Sequence, residues 1–110
     1  MQKIQIDCSA IHDQKSFHEV FAKAFGFPVF YGRNMDAWID CLSYLDEPEA
    51  EMTQVHVAPG ETLTLELLNI KHLRLEQPAI YAALIDCSAF VNWRRTKQME
   101  PPLLALSFDE

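Results

Sequence analysis

The chain has 110 residues, a formal net charge of −7, 49% hydrophobic and 23% charged side chains. That length gives one domain, residues 1–110, and the apolar fraction excludes wholesale disorder. The acidic balance argues against direct binding to nucleic acid, which needs cations to neutralise phosphates, and no apolar run approaches the roughly 20 residues of a membrane span.

Lys3–Cys8 is predicted as a short strand, because Ile4 and Ile6 alternate with polar residues. Ser9–Asp13 follows as a loop. Ser16 and Glu19 have the spacing of a capping box, which starts a helix over Ser16–Phe25. Phe17, Val20, Phe21, Ala24 and Phe25 give that helix one apolar face, and Gly26 with Pro28 ends it. Phe27–Arg33 is a tight connection in which one of Phe30 and Tyr31 is expected in the core and the other on display. Asn34 caps a second helix over Asn34–Leu45, with Met35, Trp38, Ile39, Leu42 and Leu45 on its apolar side and Cys41 at the border. Asp46–Glu51 is expected to be a solvated acidic loop.

A second strand is predicted over Glu61–Leu68, with Val55 and Val57 extending or preceding it across Pro59-Gly60. A helical stretch is expected within Asn69–Glu76. Pro78–Arg95 is a third main helix, with Ile80, Ala83, Leu84, Cys87 and Val91 at helical spacing. Pro101-Pro102 closes it, and Leu103–Phe108 is a last strand. Strands separated by helices predict an α/β fold, a small three-stranded parallel sheet packed with three to four helices.

Cys8, Cys41 and Cys87 are far apart and odd in number, with no metal-ligand spacing. They are expected as free thiols, with Cys41 and Cys87 mostly buried in their helices. The opening residues Met1–Ile6 lack the pattern of an export signal, and with free thiols this points to the cytoplasm. No cofactor or metal is expected. His12, His18, His56 and His72 show no ligand or catalytic pairing, and the glycine-rich nucleotide motifs are missing.

The sharpest feature is Asp36 with Asp40, one helical turn apart. Like charges at that spacing destabilise a helix by about 0.2–0.5 kcal/mol. Between Asp36 and Glu51 the sequence has further acids at Asp46, Glu47 and Glu49 and no Lys or Arg. Such a face is either simply solvated or prepared for cations.

Phe27-Pro28-Val29-Phe30-Tyr31-Gly32-Arg33-Asn34-Met35-Asp36-Ala37-Trp38-Ile39-Asp40-Cys41-Leu42 resembles the barstar family, cytoplasmic protein inhibitors of bacterial ribonucleases. The pattern P-x-[FY]-Y-G-x-N-x-D-A-x-x-D-C-L is long and gap-free. The resemblance implies a non-enzymatic protein that presents its second helix and the preceding loop to a ribonuclease active site. Asp40 then takes the substrate phosphate site, Asp36 makes a second acidic contact, and Phe30 packs near a catalytic histidine of the enzyme. Gly32 and Asn34 shape the loop, and Ile39 and Ser43 complete the partner-binding set. The expected partner is a basic extracellular-type ribonuclease or toxin, bound by a chain that is monomeric when free and confers immunity.

The sequence departs from the family pattern at several points. Phe30 lacks the hydroxyl of the usual tyrosine, Ile39 replaces an interfacial tryptophan while Trp38 takes the neighbouring position, and Arg33 puts a positive charge beside the acids. Asp86 is a candidate for a further acidic contact from the later helix. Two other readings stay open at this point: a diverged acidic interaction module with a different partner, and a small enzyme using the carboxylates.

Overall fold

The computed structural model describes residues 2–110. Three strands, β1 (Lys3–Asp7), β2 (Leu63–Leu68) and β3 (Leu104–Asp109), form one parallel sheet with β2 in the centre. The connection from β1 to β2 carries α1 (Gln14–Phe25) and α2 (Met35–Leu42), and that from β2 to β3 carries α3 (Ile70–Glu76) and α4 (Pro78–Lys97). This is the predicted α/β architecture. Leu63, Leu65 and Leu67 of β2 are fully buried, while Glu66 on the alternate face takes hydrogen bonds from Gln5 and Lys3 of β1.

Local chemistry moves several predicted boundaries. Helix α1 starts before Ser16, because Asp13 is its N-cap: the Asp13 carboxylate accepts from the Ser16 backbone N–H at 2.8 Å. Ser16 Oγ accepts from the Asp13 N–H at 3.0 Å, so the capping box is Asp13 with Ser16 rather than Ser16 with Glu19. At the other end Gly26 adopts φ +67°, and a Cβ there would lie 2.7 Å from the Gln54 side chain. Glycine is needed twice over.

Helix α2 ends at Leu42 rather than Leu45. The N–H groups of Tyr44 and Leu45 turn back to the carbonyls of Cys41 and Leu42, three residues behind, which tightens the chain out of α geometry while keeping Leu45 buried. β2 starts at Leu63, two residues after the predicted Glu61, and Val55 and Val57 are not in a strand. Val57 is instead buried, its N–H bonded to the Leu45 carbonyl. The predicted stretch before α4 is helical as α3, and α4 runs one half-turn past Arg95.

The acidic loop is not wholly solvated. Asp46 accepts both oxygens' worth of contact from Arg94, at 2.9 Å each, and from Arg95 at 3.1 Å. These cations hold the Asp46 carboxyl below its ordinary range against the opposing effect of burial. Arg95 is itself 1% exposed and also donates to the carbonyls of Glu61, Pro101 and Pro102. One buried guanidinium thus ties the end of α4 to both flanking loops. Of the cysteines, none in a disulfide, Cys8 and Cys41 are buried and Cys87 only half-buried, since position 87 borders the α4 face that buries Ile80, Leu84, Ser88, Val91 and Arg95 rather than lying within it. Burial pushes the Cys8 and Cys41 thiols up to about 11.

Candidate functional site

The core beneath α2 is aromatic, and it decides which side chains reach the surface. Phe17, Phe21 and Phe25 project from one face of α1 and are fully buried. Phe21 meets Trp38 of α2 edge-on at 5.5 Å between centroids. Phe25 stacks on Phe27 at 5.8 Å, and Phe27 touches Tyr31 at 4.7 Å. Rings therefore run from α1 into the loop that precedes α2. His18 adds a polar clamp: its Nδ1 lies 2.6 Å from the Tyr31 hydroxyl, inside the protein.

This anchoring resolves the choice between Phe30 and Tyr31. Tyr31 points inward, and its neighbour on the other side of the backbone, Phe30, is 73% exposed. Trp38 is also fully buried, so it supplies no surface contact; Met35 and Ile39, both half-buried, are the larger apolar residues that α2 shows at the surface.

Asn34 sets the start of α2. Its side-chain oxygen accepts from the Ala37 N–H at 2.8 Å, and its amide donates to the Gly32 carbonyl at 3.4 Å. Cap and loop are thereby one unit. Ser43, at the far end, donates from Oγ to the Ile39 carbonyl at 2.6 Å, closing the helix.

Asp36 and Asp40 are exposed, one turn apart on the outer face of α2. Among the described residues neither carboxylate has a hydrogen bond or ion pair, whereas Asp46 and Glu47 a few residues later are both held by Arg94. Arg33 adopts φ +55° and reaches Glu19 of α1 at 3.8 Å, so its charge is partly answered there. A hollow of about 170 Å³ lies beside the acids, lined by Phe30, Tyr31, Gly32, Ala37, Asp40 and Met52. Met52 comes from the long segment after α2 and had no signal in the sequence. Phe30, Gly32 and Asp40 thus share one site, with Asn34, Asp36, Ile39 and Ser43 along the same helix and its cap. No three His, Cys, Asp or Glu side chains converge as metal ligands among the described residues. Such a surface offers unpaired anionic groups beside an exposed ring, which suits cation recognition.

The family model described as Barstar (barnase inhibitor) matches residues 1–105. The chain belongs to the barstar family. Its members inhibit ribonucleases by binding them as protein partners and are not themselves enzymes. The parallel three-stranded sheet with four helices is consistent with that fold. No curated protein matches the chain. No helix among the described residues is long and apolar enough to cross a membrane.

Proposed function

We propose that this barstar-family protein blocks the active site of a basic ribonuclease with the outer face of α2 and the loop that precedes it. Asp40 and Asp36 meet the cations with which the enzyme holds substrate phosphate. Phe30 packs against the enzyme's catalytic histidine, Ile39 adds apolar contact, and Gly32, Asn34 and Ser43 hold the loop and helix in place. The observation that carries this is the pair of carboxylates on α2, exposed beside Phe30's loop and without a hydrogen bond or ion pair among the described residues, while Asp46 and Glu47 just beyond the helix are ion-paired. Like charges that cost stability in the free chain become favourable when cationic donors approach them.

The net charge of −7 favours fast encounter with a basic partner. Residues 1–110 act as one domain, for which a radius of gyration of 13.2 Å is the expected size. Three unpaired cysteines support a reducing, cytoplasmic setting, where a monomeric inhibitor protects the cell from a toxic ribonuclease.

The test is titration of barnase, the enzyme in the family's description, and of further basic bacterial ribonucleases. Activity should fall to zero at one inhibitor per enzyme, and the association rate should fall steeply between low and high salt. A chain that leaves every such enzyme active, or whose inhibition is indifferent to salt, contradicts the proposal.

A further inference from the structure

The two edges of the sheet are treated differently. In a parallel ladder alternate residues turn their backbone groups to opposite sides. Leu63 donates to the Leu103 carbonyl at 2.9 Å, so Leu103, Ala105 and Ser107 bond β2 while Leu104, Leu106 and Phe108 face outward. That edge is occupied where it begins. Asn92 of α4 donates to the Leu104 carbonyl at 3.0 Å and accepts from the Leu104 N–H at 2.8 Å, taking the place of a neighbouring strand. At the far end Arg74 holds Glu110 through two hydrogen bonds, at 2.7 and 3.2 Å.

The β1 edge has no such cover among the described residues. Thr64 donates to the Gln2 carbonyl at 3.0 Å, so Gln2, Ile4 and Ile6 bond β2. Lys3, Gln5 and Asp7, all exposed, turn their backbone groups outward. The Asp7 carbonyl starts the 3-10 turn Cys8–Ala10. The three outward N–H groups and the carbonyls of Lys3 and Gln5 have no hydrogen-bond partner among the described residues. The Lys3 and Gln5 side chains lean across the sheet to Glu66, at 3.4 and 2.6 Å, and leave the backbone beside them open. An exposed edge of this kind is a template for another strand.

We propose that its occupant is β1 of a second copy, running antiparallel about a two-fold axis at Gln5. The segment Lys3-Ile4-Gln5-Ile6-Asp7 is self-complementary in that register. The two Gln5 residues exchange their N–H and carbonyl groups, and each Asp7 N–H meets the Lys3 carbonyl opposite. Every free carbonyl of the edge then receives a donor. Charge sets the direction: each Lys3 stands across from an Asp7, whereas parallel pairing in register would set lysine beside lysine and aspartate beside aspartate. The Asp7 carboxylate takes its bonds from Ser9 and Asn69 on Oδ1, so Oδ2 is left for the ammonium. On the opposite face Ile4, half-buried, gains Ile6 of the second copy as a neighbour. Strands of this length bury far less than the about 1,200–2,000 Å² of a stable interface, and each copy carries −7. Pairing therefore belongs to concentrated protein, and the dilute chain is monomeric.

Amide hydrogen exchange of the whole chain, followed by NMR in dilute and in concentrated solution, tests this with no ribonuclease present. The Lys3, Gln5 and Asp7 amides should exchange freely when dilute and slow at least about tenfold in concentrated protein, where sedimentation gives twice the mass. Ile4 and Ile6, bonded to β2, should be protected in both. Gln5→Pro removes a donor that the sheet does not use, so it should melt near the parent and stay monomeric. Lys3→Asp and Asp7→Lys should each abolish pairing by setting like charges across the axis, whereas an equal mixture of the two should dimerise. Edge amides that exchange equally fast at both concentrations overturn the inference. So does a dimer that survives Gln5→Pro, which would lie on another surface, such as the exposed Phe90 and Trp93 of α4. Either result leaves the inhibitory reading untouched, and a chain that inhibits no ribonuclease leaves the β1 pairing standing.

Discussion

At the scale of single residues, the contact between His18 and Tyr31 does the most to present the site. Two rings from different elements meet inside the protein, and the ring that would compete for the same space, Phe30, is left outside. Burial, then the charge of Arg33, lowers the His18 pKa below its ordinary 6.5. The neutral ring is therefore the folded form, and the unfolded chain binds the extra proton first. Stability from this group is complete above pH 6.5 and is lost as pH falls from there towards the lower folded value. Asp7, Asp13 and Asp46, whose pKa values are lowered from 3.8, keep their contributions until well below that window. Melting temperature should thus begin to drop just below pH 6.5, and His18→Gln should remove that early step while leaving the acid limb. A parent curve flat from pH 7 to 5 would contradict the assignment. Arg33 is the other residue with a distinct expectation. It opposes the field of Asp36 and Asp40, so Arg33→Glu should speed association with the ribonuclease at low salt, with the gain vanishing at high salt. Stopped-flow association rates at two ionic strengths decide this, and an unchanged rate at low salt would show that Arg33 lies outside the steering field.

Among the elements, α2 and its cap belong together. Asn34 bonds both the first turn of the helix and the Gly32 carbonyl of the loop, so one side chain joins the loop that carries Phe30 to the helix that carries Asp40. Asn34→Ala should cost about 1 kcal/mol of stability, the usual loss for a helix N-cap, measured by urea unfolding. Inhibition should weaken by more than the folded fraction accounts for, because the loop is released as well. If inhibition per folded molecule is unchanged, the cap is structural only. Most elements could be read from the sequence, because strand alternation and helical apolar spacing are local signals. Asp36 and Asp40 could be read for the same reason, four residues apart on one helix. Helix α1 starts earlier than the predicted Ser16 because Ser16 is compatible with two caps: only geometry distinguishes Ser16 as the first member of a box from Ser16 as the last member of one begun by Asp13. Apolar spacing does not locate the end of α2, because Leu45 is buried although its turn is not α-helical.

Across the whole molecule, what stayed illegible depended on partners distant in sequence. Tyr31 is inside and Phe30 outside because His18 stands 13 residues earlier on another element. Asp46 is paired because α4 brings Arg94 and Arg95 across separations of 48 and 49 residues. No window of sequence contains both partners. Once those pairs are removed from the acidic segment, Asp36, Asp40, Glu49 and Glu51 remain without a side-chain hydrogen bond or ion pair among the described residues, and the proposed function depends on what meets the two on α2. The most direct measurement is Asp40→Ala, assayed for inhibition of the ribonuclease and for thermal melting of the variant alone. In the complex its removal leaves cationic donors unpaired, which should weaken binding by about 2–5 kcal/mol, while the free variant melts with or slightly above the parent because like-charge strain at Asp36 is relieved. A variant that inhibits as well as the parent, or that melts far earlier, would contradict the assignment of α2 as the inhibitory face.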